Sequence, residues 1–447
     1  MLRSASLAAL SLTLGIACVQ PSDVVVTPIE LPTASQQIAI REGWLEQRHE
    51  MLLPMMRRHD IDMWIIVTEE FHEDPLYRLI APPRPLPANR ATFVFVDGGD
   101  SGLVRAAVPG FAEESLARFF ECPEDPRDEA TFLTALVERY QPERIGLSIG
   151  GRRGMTRSLT HDSYLHLVEI LGDDAASRFV SADDLIEECL ATRIPDELEP
   201  YRKMVQLTEQ IGKRAFSSEV VTPGTTTVGD VRRWIYDEYW RRRVTPWFQP
   251  DIRVQRKGME NPMSRGFLAV ADEALVIEPG DLLHLDIGFD ALGLATDWQK
   301  MAYVLQPGET EPPAGLQAGL AATNRLQDVL THAARPGRSA GDVYRETMAE
   351  MERLGITAQI YSHPLGNHGH AAGTGIDFRA AKASEEGDDR LDRTLRLGAY
   401  MAIELNTSQT VPEWNDQKVF FMLEDPAHLE ADGFAFFVPR QEAFYLR

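Results

Sequence analysis

The sequence predicts two units, an α/β unit followed by a larger α+β unit made of two similar halves, and three observations carry that prediction. From Arg41 to about Ile194, helical and strand patterns alternate, the signature of an α/β layer. Pro195 and Asp196 then open a long helical segment, which places a boundary at residue 194. Beyond it, TPGTTTVGDVRRWI (222 to 235) and RPGRSAGDVYRETM (335 to 348) echo each other about 113 residues apart. That period is far longer than a solenoid's, so the echo implies two halves that feed strands into one sheet, with any site formed between them.

The elements follow in chain order. Residues 1–18 carry one early positive charge, an apolar run and then Cys18, which reads as a secretory signal too short to span a bilayer. Its ending, GIAC, resembles a lipoprotein signal, in which Cys18 becomes the lipidated first residue, and 19–35 reads as a Pro-rich tether. The expectation is an exported chain, periplasmic or in the cell envelope, that meets the membrane only through this anchor. In the first unit (36–194), EGWLEQRHEMLLPMMRRH and DEATFLTALVERY have helical spacing, while MWIIVT and ATFVFVD are buried-strand runs. The second unit takes residues 195–447.

Composition limits the function. With 44% hydrophobic and 25% charged residues the chain is an ordinary globular protein, and its net charge of −23 argues against nucleic acid or an anionic surface as partner. A cation is the more natural guest. After export only Cys122 and Cys189 remain, enough for one disulfide or two buried thiols but not for a cysteine zinc cluster. Gly146-Leu147-Ser148-Ile149-Gly150 has the form of a serine-hydrolase elbow, but that chemistry needs a helix directly afterwards, and GRRGMTRS does not start one.

HLDIGFDALGLATDWQKMAYV (284 to 304) holds the first chemical signal. Leu283, Leu285 and Ile287 alternate with His284 and Asp286, so one strand face is apolar and the other carries the polar groups. A hairpin folded at Ala291/Leu292 would set Asp286 opposite Asp297, an arrangement that repels unless a proton or cation intervenes. GAYMAIELN and KVFFMLED repeat the pattern with Glu404 and Glu424, and YSHPLGNHGHAAGTG between the pairs supplies His363, His368 and His370. Four carboxylates and an imidazole suit one or two divalent ions of Mn, Co, Fe or Zn, with Mn favoured, and two ions would activate a hydroxide for hydrolysis.

With those residues in place, 195–447 resembles the pita-bread metallopeptidase family, which includes methionine aminopeptidase, Xaa-Pro aminopeptidase and Xaa-Pro dipeptidase, and 36–194 resembles its creatinase-like N-terminal domain. The resemblance implies that the ligand order Asp, Asp, His, Glu, Glu falls on Asp286, Asp297, His370, Glu404 and Glu424, the histidine lying in His-Ala-Ala-Gly. It assigns Glu404 the role of general base or proton shuttle and Glu424 that of bridging the metals. It implies a pita-bread fold, short peptides as substrates, and a homodimer as a common assembly.

The sequence also departs from the Xaa-Pro branch. The histidine seventeen residues before the first Asp is Ala269, the one seven after His370 is Asp377, the Arg two before the last Glu is Met422, and Glu-Pro-Gly becomes Glu404-Leu405-Asn406. His363 and His368 are the histidines placed to stand in as catalytic groups, and His284 is a candidate support for Asp286. The expected function is a metal-dependent exopeptidase hydrolysing the N-terminal bond of short peptides, Xaa-Pro among them. The alternative is a non-peptidase on the same fold, a hydrolase of another small molecule or a metal-binding pseudo-peptidase.

Overall fold

The computed structural model describes residues 29–83, 89–110, 114–151, 153–384 and 392–447. Cys18, the signal and most of the expected tether lie outside these residues. Among them no helix is long and apolar enough to cross a membrane.

The first sheet comprises β1 (Met63–Glu69), β2 (Arg90–Asp97), β3 (Leu103–Val108), β4 (Ile145–Leu147) and β5 (Phe179–Ser181), in the order β3-β2-β1-β4-β5. β1 runs antiparallel to β2 and parallel to β4. Helix Ala34–Arg58 buries Leu45, Leu52 and Met56 with Trp64, Ile66, Phe93 and Phe95 of this sheet. Cys122 and Cys189 are both free thiols, so the disulfide is not formed. Ser148 is buried behind β4 and is followed by a short 3-10 turn, Gly154–Thr156, so the hydrolase elbow is absent.

The remaining strands are short or join the second sheet. They are β6 (Thr245–Pro246), β7 (Asp251–Gln255), β8 (Met263–Ser264), β9 (Phe267–Leu268), β10 (Leu282–Ile287), β11 (Phe289–Ala291) and β12 (Leu294–Ala295). There follow β13 (Trp298–Tyr303), β14 (Thr357–Leu365), β15 (Ile376–Asp377), β16 (Tyr400–Val411), β17 (Gln417–Glu430), β18 (Gly433–Phe436) and β19 (Tyr445–Leu446). The large sheet runs β15-β14-β16-β17-β13-β10-β7, with β18 on β17 and β19 on β13.

Two helix pairs cover one face of that sheet. Leu198–Ala215 and Val228–Arg242 pack on β7, β10 and β13, and Ala314–Ala333 and Ala340–Arg353 on β14, β16 and β17. The sequence echo is a structural one. Thr227 caps the second helix of the first pair by accepting from Asp230 N, and Ser339 does the same for Asp342 N in the second. Each cap residue also bridges to an extended segment before the strand pair, Thr227 to Val276 and Ser339 to Thr394. In each half a helix glycine admits a ring from the sheet. A methyl on Gly212 would fall 2.3 Å from Trp298, and one on Gly319 would fall 2.1 Å from Phe421. The helices therefore lie unusually close to the strands, and Leu285, Ile403 and Leu405 fill the contact.

Strand alternation leaves the opposite face to the polar residues. Asp286, Gln299, Glu424 and Glu404 all project there: Asp286 and Glu404 because their sequence neighbours are apolar residues that meet the helices, Gln299 and Glu424 because they pair with those two in register.

Candidate metal centre

The site is built on one row of residues across the sheet. Asp286 pairs with Asp251 on one side and Gln299 on the other, Gln299 pairs with Glu424, and Glu424 pairs with Glu404. This corrects the hairpin expectation, since Asp286 faces Gln299 and not Asp297. The turn is centred on Leu292 and Gly293, both at positive φ (55° and 73°), which shifts the register past the one that folding at Ala291/Leu292 would give. Asp297 still reaches the cluster from the strand's start, where its Oδ1 accepts from Trp298 N at 3.1 Å.

His363, at the end of β14, completes the group. Its Nε2 lies 3.4 Å from Glu424 Oε1, 3.5 Å from Asp297 Oδ2 and 3.8 Å from Glu404 Oε2. Among the described residues two sets of ligand atoms lie each within 4.8 Å: Asp297, His363 and Glu424, and Asp286, Glu404 and Glu424. Glu424 is common to both.

His370, taken from the sequence as the imidazole ligand, belongs to neither set. The reason is local: β14 runs on through Leu365, so the strand itself delivers His363 to the carboxylates, while the turn after it sets His370 outside. His370 instead makes edge contact with His363 (centroids 4.6 Å apart) and with Trp247 (5.3 Å), and both histidines border a cavity of about 300 Å³. Trp247 is anchored by a 2.7 Å bond from Nε1 to Thr296 O. His368 turns away from the site toward the first unit, where its electrostatic neighbours are Arg78, Pro75 and Glu73.

The loop that carries these histidines is tied down on both sides. Ala295 N donates to Gly366 O at 2.8 Å, and Asn367 donates to Gly293 O while accepting from Arg193. Behind the sheet, buried Lys300 donates to Glu424 O at 2.8 Å and pairs with buried Asp425, which also accepts from Gln327. Of the altered family positions, Asp377 is engaged by Arg379 and Met422 lies under Arg253, whose Nη1 is 3.8 Å from the sulfur. Ala269 has no side chain that could contribute chemistry.

The electrostatics are those of a cation site. Burial first, and the neighbouring carboxylates second, push Asp286, Asp297 and Glu404 well above the usual carboxylate range, and burial lifts Glu424 to about 8. Burial holds His363 and His370 down to about 4, so both rings are neutral at pH 7. Asp286 Oδ1 and both Glu424 oxygens are buried without a hydrogen-bond partner. Such orphaned acceptors are costly unless a cation satisfies them, and four carboxylates with one neutral imidazole fit a divalent first-row ion. The residues present fit the group.

Sequence reasoning missed Gln299, Asp251, Arg253 and Lys300. Gln299 was within reach of it, being two residues after Asp297 and so on the same strand face. Asp251 and Arg253 lie on a strand that no motif marks.

The profile of metallopeptidase family M24 matches residues 199–431. The chain belongs to metallopeptidase family M24. No curated protein matches it. Solved structures share the fold at low identity. The X-Pro aminopeptidase from Thermotoga maritima is 13% identical with a TM-score of 0.65, covering 88% of this chain and 100% of its own. The Xaa-Pro dipeptidase from Bacillus anthracis is 15% identical with a TM-score of 0.62, covering 93% and 100%. The prolidase from Pyrococcus horikoshii is 15% identical with a TM-score of 0.61, covering 88% and 99%. These matches span both units, so this M24 chain has the pita-bread architecture with an N-terminal domain.

Proposed function

We propose that this M24 chain is a metal-dependent exopeptidase that removes the N-terminal residue of short peptides, Xaa-Pro bonds among its candidate substrates. The observation that carries the reading is the convergence of Asp286, Asp297, His363, Glu404 and Glu424, with Glu424 common to both ligand sets and its oxygens otherwise unpartnered. These five residues would hold two divalent ions, Mn foremost for an oxygen-rich set. When bound, such ions supply Lewis acidity and lower the pKa of water.

The chain's own residues do the rest. Glu404, with Oε2 turned to the cluster, accepts the proton of the attacking water and returns it to the departing amine. His370, neutral and held edge-on by Trp247, borders the cavity as the group that hydrogen-bonds the substrate carbonyl. The spacing supports this exchange of roles. Counted from His363, the His-x-x-Gly form is His363-Pro364-Leu365-Gly366, and the histidine seven residues on is His370. One of the two histidines missing in the earlier count is thereby restored, and Ala269 remains a true departure.

The test is cleavage of mixed short peptides, with and without proline second, by the Mn-loaded chain, read by mass spectrometry beside Glu404→Gln. Loss of a single N-terminal residue with the parent alone is the expected result. No cleavage by a chain that holds its metal would overturn it in favour of a non-peptide substrate.

A further inference from the structure

Gln299 is the neutral member of a row of carboxylates. Its Cα partners are Asp286 and Glu424, it is buried, and its amide nitrogen donates to Glu404 Oε1 at 2.5 Å. Across the two halves, Asp286 pairs with Gln299 as Glu404 pairs with Glu424. Internal symmetry alone would put another carboxylate here; the chain puts a hydrogen-bond donor among acceptors.

The amide's orientation is set from behind. Its oxygen lies 2.9 Å from Nε2 of His284, a fully buried ring whose Cα partner on β7 is Arg253. An amide oxygen accepts only, so Nε2 of His284 carries the hydrogen, and His284 Nδ1 is left without a partner. With its oxygen held, the amide can turn only its N–H bonds toward the carboxylates.

We propose that Gln299, held the right way round by His284, is a positioning residue for Glu404: it occupies Oε1 and leaves Oε2 as the oxygen turned to His363 and the ligand cluster, 3.8 Å from His363 Nε2. This rests on Glu404 as the proton carrier described above, and the test therefore includes a readout that needs no turnover.

The experiment compares the full chain with Gln299→Met, His284→Gln and His284→Leu. Each is titrated with Co(II) by calorimetry, its visible spectrum is recorded, and kcat and KM are measured on a cleaved peptide. Gln299→Met is expected to bind the parent number of ions but with altered Co(II) band intensities, because Glu404 is freed to chelate through both oxygens. Its kcat falls about 10–100-fold while KM moves less than about twofold. His284→Gln, which can still donate to the amide oxygen, keeps the parent spectrum and rate, and His284→Leu behaves like Gln299→Met. A parent-like spectrum and kcat in Gln299→Met, loss of an ion in that variant, or equal damage in both His284 variants would each overturn the proposal. If the parent cleaves no peptide, the exopeptidase reading fails, and the Co(II) spectra alone still decide the role of Gln299.

Discussion

Glu404 and Glu424 are direct partners across the antiparallel strands β16 and β17, with both carboxyl groups on the face turned from the helices. Like charges so placed repel, and burial strengthens the repulsion. Glu424→Gln removes one of them. The metal-free variant should melt higher than the parent by about 1–2 °C for each kcal/mol gained, while its calorimetric metal titration shows weakened binding. A variant that melts lower without metal would count against a strained carboxylate cluster.

Stability should depend on pH in the same sense. The carboxylates Asp286, Asp297, Glu404 and Glu424 have folded pKa values raised above those of the unfolded chain, Glu424 to about 8. Their contribution is present at low pH and lost as pH rises through the folded values. The histidines, lowered to about 4, act between that value and their ordinary range and are silent above it. From pH 7 to 9, then, the metal-free protein loses thermal stability, and saturating Mn suppresses the loss. Differential scanning calorimetry with and without Mn measures both.

The two histidines should separate by function. His363→Ala weakens metal binding by about 10–100-fold, whereas His370→Ala keeps the parent metal content and loses about 100-fold or more in kcat. Metal analysis beside steady-state kinetics reads the split. The reverse pattern would restore His370 as the ligand.

Gly369 lies against the indole of Trp247, and a methyl there would fall 2.1 Å from the ring. Gly369→Ala must displace Trp247 or the histidine loop, at a cost of about 1–3 kcal/mol. A denaturant melt should show it, together with a lowered kcat, because Trp247 is also what holds His370.

Behind the sheet, Lys300 and Asp425 form a buried pair with Gln327. Lys300→Met leaves Asp425 uncompensated and should destabilise the chain by about 3–5 kcal/mol. Lys300→Met with Asp425→Leu should recover most of that loss in a chemical melt, since the pair's worth lies mainly in mutual compensation.

By itself the sequence determined the two-unit order, the paired halves and the four carboxylates of the site. Asp286 and Glu404 are written in local periodicity: a carboxylate between apolar strand residues is committed to the face away from the helices, wherever the strand lies in the sheet. Thr227 and Ser339 likewise cap equivalent helices because capping needs only nearby residues. Register and loop path were decided by the tertiary structure. Asp286 faces Gln299 because Leu292 and Gly293 both adopt positive φ in the turn, a choice between adjacent positions that alternation does not specify. His363 meets the carboxylates because β14 pairs with β16 through His363 and Ala402, and His370 is held outside by Trp247, contacts between segments far apart in the chain. Arg253 and Asp251 join the site by strand order alone, which has no sequence period to announce it.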